Sequence, residues 1–219
     1  DLADLMEILL QRTRIGRLRI SSIEPQSLKP SLITALATSD GRICRHLHLC
    51  LQSGSTKVLD EMARNYTADE FLDLIAELRA QVPSIALSTD VIVGFPGETD
   101  EDFAQTCKVI EQARFMRLHV FRYSKRAGTP AAARPDQIPP QVMAERAKTL
   151  RELGAKLALE DMHKRLGTVE QVIVERPGIG TSESYHKVLV PTDLAPGLLL
   201  PMELADIDEG QHAFSARVL

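Results

Sequence analysis

The sequence predicts an α/β chain: a parallel sheet with crossover helices over residues 1–166, followed by a small all-β barrel over residues 167–219. Two observations predict this. Period-two apolar runs alternate with helix-period segments in the first part, the pattern of strands joined by crossover helices. Past Gly167 the texture changes to short β-like runs split by Gly, Pro and Asp, over about fifty residues.

Residues 1–14 place Leu2, Leu5, Met6 and Leu9 on one helical face. "RLRISSIEP" alternates at Leu18 and Ile20 and stops at Pro25, and "HLHLCLQSGS" alternates through Leu47, Leu49 and Leu51 before breaking at Ser53-Gly54. A helical pattern returns at Val58, Leu59 and Met62. Thr67 and Glu70 have the spacing of a capping box opening a helix that buries Phe71, Leu74, Ile75 and Leu78. "IALSTDVIVG" is the next strand, "TDED" starts a helix carrying Phe103, Cys107 and Ile110 inward, and "RLHVFRY" is a strand again. After the loop "SKRAGTPAAARPDQIPP" a long helix spans roughly residues 140–166. "TVEQVIVE", "YHKVLVP", "LLLPMELADI" and "HAFSARV" supply the β-barrel.

Composition excludes several classes. Hydrophobic content is an ordinary 44%, and no apolar run approaches the ~20 residues of a membrane span. No basic segment followed by an apolar one marks a secretory signal. The first residue is Asp1 rather than Met, so processing or a longer parent protein is expected. Cys44, Cys50 and Cys107 are too few for a disulfide framework and stand in no CxxC or CxxxCxxC, which points to a reducing, cytoplasmic location. The net charge is −4, and residues 168–219 carry three basic against eight acidic residues, net −5. Such an acidic tail is a poor electrostatic match to a polyanion.

In parallel α/β folds ligands collect at the carboxyl ends of strands. Ser22 and Glu24, Gln52 and Ser53, Gly94, and Tyr123 and Ser124 fall there, all polar or small. In "DVIVGFPGETDEDF", Gly94 and Gly97 allow close backbone approach and Pro96 stiffens the turn, while the acids that follow favour a neutral or zwitterionic ligand over a phosphate. A βα turn that simply requires glycine reads the same way. His46, His48 and Cys50 share one strand face, as metal ligands would, but residues of a covered strand face also read as satisfied core, and no metal is expected. Arg64 has the reach to clamp a carboxylate, or sits solvated; His163, His186 and His212 stand without telling partners. The basic loop with Arg122, Lys125 and Arg126 either guides a phosphate backbone or is a solvated loop.

Together, "RLRISSIEP", "HLHLCLQSGSTKVLDEMARNYT", "STDVIVGFPGETDEDF" and "HVFRYSKRAGTPAA", in this order, resemble the radical S-adenosylmethionine (SAM) methylthiotransferases, above all those acting on threonylcarbamoyladenosine in tRNA. The resemblance covers nearly the whole chain. It implies the later part of an open (β/α)6 radical-SAM barrel followed by a TRAM-like β-barrel. The family's N-terminal domain and its CxxxCxxC strand would precede Asp1. In the intact enzyme it implies SAM and two 4Fe-4S clusters, none ligated by this chain, with tRNA as substrate, an electron donor such as flavodoxin or ferredoxin, no membrane and a monomeric state. This chain alone is then expected to be inactive.

Carried over onto this sequence, the resemblance places Ser22 and Glu24 on the strand facing SAM, Gln52 and Ser53 at its polar part and Arg64 at its carboxylate. Asp90 to Gly94 would back the adenine with Ile92 packed on it, and Val120 and Phe121 would lie near the same adenosine. Ser124, Arg126 and Thr129 would stand on the substrate side. Two departures stand out: Cys50 occupies a position where the family usually has proline, and the barrel is acidic where an RNA-binding role would want basic charge. A ribosomal-protein methylthiotransferase and a cluster-free RNA-binding module are the alternatives.

Overall fold

The computed structural model describes all residues 1–219. Its first part is a four-stranded parallel sheet with strands in sequential order: β1 (Ser22–Ile23), β2 (His46–Leu49), β3 (Ala86–Val93) and β4 (Arg117–Arg122). α1 (Leu2–Arg12), α2 (Pro30–Thr38), α3 (Thr56–Glu61), α4 (Ala68–Gln81) and α5 (Asp100–Ala113) precede or connect these strands. The short α6 (Pro130–Ala133) and the long α7 (Pro140–Arg165) follow them.

Local chemistry sets the helix starts. Asp1 with Asp4, Thr67 with Glu70 and Thr99 with Asp102 form reciprocal capping boxes at α1, α4 and α5, each satisfying amides the first helical turn leaves free. α5 ends where Arg114 turns left-handed, φ 49°.

Period-two alternation divides the sheet into two faces. Leu47, Leu49, Leu51, Leu87, Val91 and Val93 turn to the helix layer and are almost wholly buried with Ile33, Phe71, Leu78, Ile110 and Phe115. Burying each such side chain contributes about 1.5–3 kcal/mol. The other face carries His46, His48, Ser88, Asp90 and His119 and borders a cleft.

The second part is a closed barrel of β5 (Val169–Arg176), β6 (Ile179–Ser182), β7 (Lys187–Leu189), β8 (Leu199–Asp208) and β9 (Ala213–Val218), in the order β5-β6-β7-β9-β8. Val172, Val174, Val188, Met202, Leu204 and Phe214 fill it. It is fastened beneath the sheet by polar contacts. Arg17 donates to the carbonyls of Gln171 and Thr181, and Arg19 to those of Ser182 and Glu183. Arg165, at the end of α7, donates to Asp161, Glu170 and the Ser84 carbonyl, while His186 meets Asp161 at 2.9 Å.

Several expectations change. α2, α6 and β6 have no counterpart in the sequence reading. Gly178 and Gly180 look like strand breakers, yet a Cβ at Gly180 would lie 2.7 Å from Val172 Cγ1, so this glycine permits close strand pairing. The predicted apolar face of α1 is rotated: Ala3 and Met6 are buried, whereas Leu2 and Leu5 are exposed. His186 is a buried partner of Asp161, not an idle surface histidine. No helix is long and apolar enough to cross a membrane.

Candidate cofactor cleft

The inner face of the sheet is built in rows, because neighbouring parallel strands align His48 with Ser88 and Asp90 with His119. The cleft, about 410 Å³, is lined by Arg19, Ser22, His46, His48, Ser88, Asp90, Arg117, His119 and Tyr185, with Ile20 and Ser21 completing it. A hollow of about 670 Å³ among Arg45, Arg79, Arg165 and Glu183, and one of about 500 Å³ between α7 and the β-barrel, lie away from the strand carboxyl ends.

At the floor, Tyr185 of the β-barrel stacks on the His46 ring, with centroids 4.7 Å apart, and on the guanidiniums of Arg19 and Arg117 at 4.6 and 5.2 Å. Tyr185 holds φ 72°, an unfavourable conformation for a non-glycine residue, as it reaches into this stack. Burial pushes the His46 imidazole down to about 3, with the Arg19 charge acting in the same direction, so His46 is neutral. Above it, Ser88 Oγ lies 3.0 Å from both His46 Nε2 and His48 Nδ1, and His48 Nε2 lies 3.2 Å from Asp90 Oδ1. Burial, with the Glu24 and Asp90 charges adding to it, pushes the Cys50 thiol up to about 11.

At the rim, Arg64 donates to Glu24 at 2.9 Å, uniting two residues predicted to bind one ligand. Both side chains are about one-third exposed, 31% and 36%, so the pair itself contributes at most about 1 kcal/mol. Arg64 Nε and Glu24 Oε2 are buried and have no hydrogen-bond partner. A buried donor and acceptor without partners cost stability unless something else satisfies them. Gln52 follows β2 with φ 64°; its amide donates to Asp90 O and its carbonyl accepts from Ile92 N, both at 2.9 Å. Ile92 pairs with Phe121, which is 50% exposed, giving the rim an apolar shelf.

Some predicted residues lie elsewhere. Ser53 is buried against α5, its Oγ accepting from Ser55 N and lying 3.4 Å from Thr106 Oγ1, so its side chain serves the loop. The Val120 side chain packs against the helix-side core, because alternation turns it opposite to Phe121. Gly94 has φ 75°, and a Cβ there would lie 2.1 Å from Met143 Cγ, so its glycine answers to backbone and α7 packing. Glu98 turns inward to accept from Gly94 N and Arg146 rather than facing a ligand. Ser124 and Arg126 are exposed in the loop after β4, and Thr129 caps α6 through Ala132 N.

Arg19, Ser88, Arg117, His119 and Tyr185 line the cleft without being among the residues expected from the sequence. Period-two alternation within "LSTDVIV" and "RLHVFRY" places Ser88, Arg117 and His119 on the inner face, whereas no local signal marks Tyr185.

Residues 1–110 match the family model described as the Radical SAM superfamily, and the chain belongs to that superfamily. It is 39% identical over 210 residues to the tRNA-2-methylthio-N(6)-dimethylallyladenosine synthase of Methylacidiphilum infernorum, covering 92% of this chain and 45% of the relative. To the threonylcarbamoyladenosine tRNA methylthiotransferase of Chlamydia pneumoniae it is 40% identical over 215 residues, 95% and 51% of the two chains. The resemblance to methylthiotransferases read from the motifs is thus borne out, and the chain spans about half the length, or less, of these relatives. The solved coproporphyrinogen III oxidase of Escherichia coli, a radical SAM enzyme, superposes with TM-score 0.53 at 22% identity over 70% of this chain and 37% of that one, a likeness of fold.

Proposed function

We propose that this chain is the later barrel portion, residues 1–166, and TRAM-like barrel, residues 167–219, of a radical SAM methylthiotransferase that adds a methylthio group to a modified adenosine in tRNA. The observation that carries the SAM assignment is the Glu24–Arg64 pair, with one buried unpartnered atom on each side chain beside the Ile92–Phe121 shelf. An α-amino group and an α-carboxylate suit Glu24 Oε2 and Arg64 Nε, and an adenosine suits the apolar shelf. The weak surface pair re-partners at little cost. Ser22, Gln52 and the Asp90–Gly94 strand border this ligand, with Val120 contributing backbone; Ser124, Arg126 and Thr129 stand on the tRNA side.

The residues present do not fit an iron–sulfur cluster. Cys44 and Cys50 are buried, Cys107 lies on α5, and the one group of clustered ligand atoms contains a single cysteine. A 4Fe-4S cluster held by residues outside this chain would supply the electrons for radical chemistry on SAM bound in this cleft. The residues described here bind and orient the nucleoside and exclude water from it. Two clusters and a flavodoxin- or ferredoxin-type electron donor belong to the proposal for the intact enzyme.

Equilibrium dialysis with labelled SAM tests the reading. Arg64→Ala removes a charge-assisted hydrogen bond worth about 1.5–3 kcal/mol, so affinity should fall about 10- to 100-fold, while Arg126→Ala leaves it unchanged. Equal SAM binding by the wild type and Arg64→Ala contradicts the site. The RNA-binding alternative calls for strongly salt-dependent tRNA binding by the chain alone, against which the acidic barrel argues.

A further inference from the structure

The middle of the cleft holds a cluster that SAM recognition leaves unexplained. We propose that His48, Cys50 and Asp90 bind one divalent cation of the zinc class, with a water in the fourth position. The proposal does not rest on SAM binding.

The three ligand atoms lie within 4.8 Å of one another. The β2–β3 ladder ends at His48 and Ser88 and resumes one residue out of register at Gln52 and Val91, so Cys50 lies in an irregular step of β2 that brings its sulfur near Asp90 and His48. Ser88 Oγ lies 3.0 Å from both His48 Nδ1 and His46 Nε2; where it accepts the His48 Nδ1–H it donates to His46 Nε2, at the cost of a His46 Nδ1–H buried without a partner. In that tautomer His48 Nε2 presents a lone pair to Asp90 Oδ1 at 3.2 Å. Two lone pairs face each other at this distance only with a proton or cation between them. Tetrahedral zinc, with bonds of about 2.0–2.2 Å to nitrogen and oxygen, separates those atoms by about 3.3 Å. A hydrogen bond from Ser88 to the second ring nitrogen is also what fixes a metal-binding imidazole.

Charge and ligand type agree. A thiolate and a carboxylate neutralise a divalent cation, and a mixed sulfur, nitrogen and oxygen set selects zinc or cobalt over magnesium or calcium. Of the cations facing the cleft, Arg19 and Arg117 are drawn down onto Tyr185 and Arg64 is drawn outward to Glu24. His119 stands edge-on to His48, with centroids 5.5 Å apart. Cys50 loses its thiol proton to solvent on binding. The competing arrangement, His48 Nε2–H donating to Asp90, calls for no metal.

Dialysis of the full chain against Zn(II), followed by metal analysis, decides the matter. One Zn(II) per chain is expected, and Co(II) in its place should give a thiolate-to-metal charge-transfer band. Cys50→Ser and Asp90→Asn should each weaken binding at least tenfold and Cys50→Ser should abolish the band, while Cys44→Ser and Cys107→Ser keep both. Far-UV circular dichroism checks each variant's fold; if Cys50→Ser does not fold, the near-isosteric Asp90→Asn carries the test. No zinc uptake, or uptake unchanged in the folded variants at positions 50 and 90, overturns the proposal.

Discussion

Replacing Arg146 with methionine should cost about 3–5 kcal/mol, because it strips the charge partner from a buried carboxylate. The side chains of Arg146 and Glu98 are only 7% and 2% exposed. Arg146 donates to the Glu98 carboxylate and carbonyl and to Asp100, and Glu98 Oε1 also accepts from Gly94 N at 3.1 Å. Methionine keeps the apolar contact with Phe103, over which the guanidinium sits at 5.5 Å, and the Asp100 contact is lost cheaply because Asp100 is 91% exposed. The cost therefore falls on Glu98, left with one backbone donor. The chain has no tryptophan, so urea unfolding at pH 7 is followed by far-UV circular dichroism. The double variant Glu98→Gln/Arg146→Met should recover most of the loss, since no charge is then buried alone. Burial already raises the Glu98 pKa, and removing Arg146 raises it further. A folded-state pKa above the unfolded value near 4.3 means the folded state binds more protons. The Arg146→Met penalty should therefore shrink as pH falls from 7 towards that value. A cost below about 1 kcal/mol, or a double variant no more stable than the single one, refutes the argument.

Other consequences follow from the same geometry. Gly94→Ala should cost about 2–4 kcal/mol, adding a clash with Met143 to positive-φ strain, whereas Gly128→Ala, at φ 85° with open space around it, should cost about 1 kcal/mol; equal losses in urea denaturation would contradict the packing. Asp161 is pushed up by burial, but hydrogen bonds from His186 and Arg165 outweigh this and hold it at about 2, below its unfolded value near 3.9. It thus contributes about 2.6 kcal/mol near neutral pH that is lost as pH falls from about 5 towards 1. Asp161→Asn should flatten this part of the stability profile, and an unchanged acid slope would be evidence against the junction described.

The sequence made the parallel sheet legible because the leucines of β2 and the valines of β3 alternate cleanly, and two of the three capping boxes carry their Thr-to-acid spacing openly. α2 lies outside the expected elements although Leu32, Ile33 and Leu36 fall at helical spacing behind Pro30. The rim was legible as residues but not as contacts: Glu24 and Arg64 are 40 residues apart, and only the fold makes them a pair. Ser53 and Gly94 illustrate the opposite case. They sit in the motif yet answer to α5 and α7, because a strand-end turn must satisfy its own packing before it meets a ligand. Tyr185 was illegible, since it reaches the cleft from the other barrel through long-range docking.

The measurement that bears most directly on the assigned function is nucleoside mass spectrometry of tRNA from the native host, with and without the coding region for residues 1–219. Disappearance of a methylthiolated adenosine, restored by the wild-type gene and not by one carrying Arg64→Ala, is the expected result. Methylthiolated adenosines unchanged after the deletion would contradict the assignment.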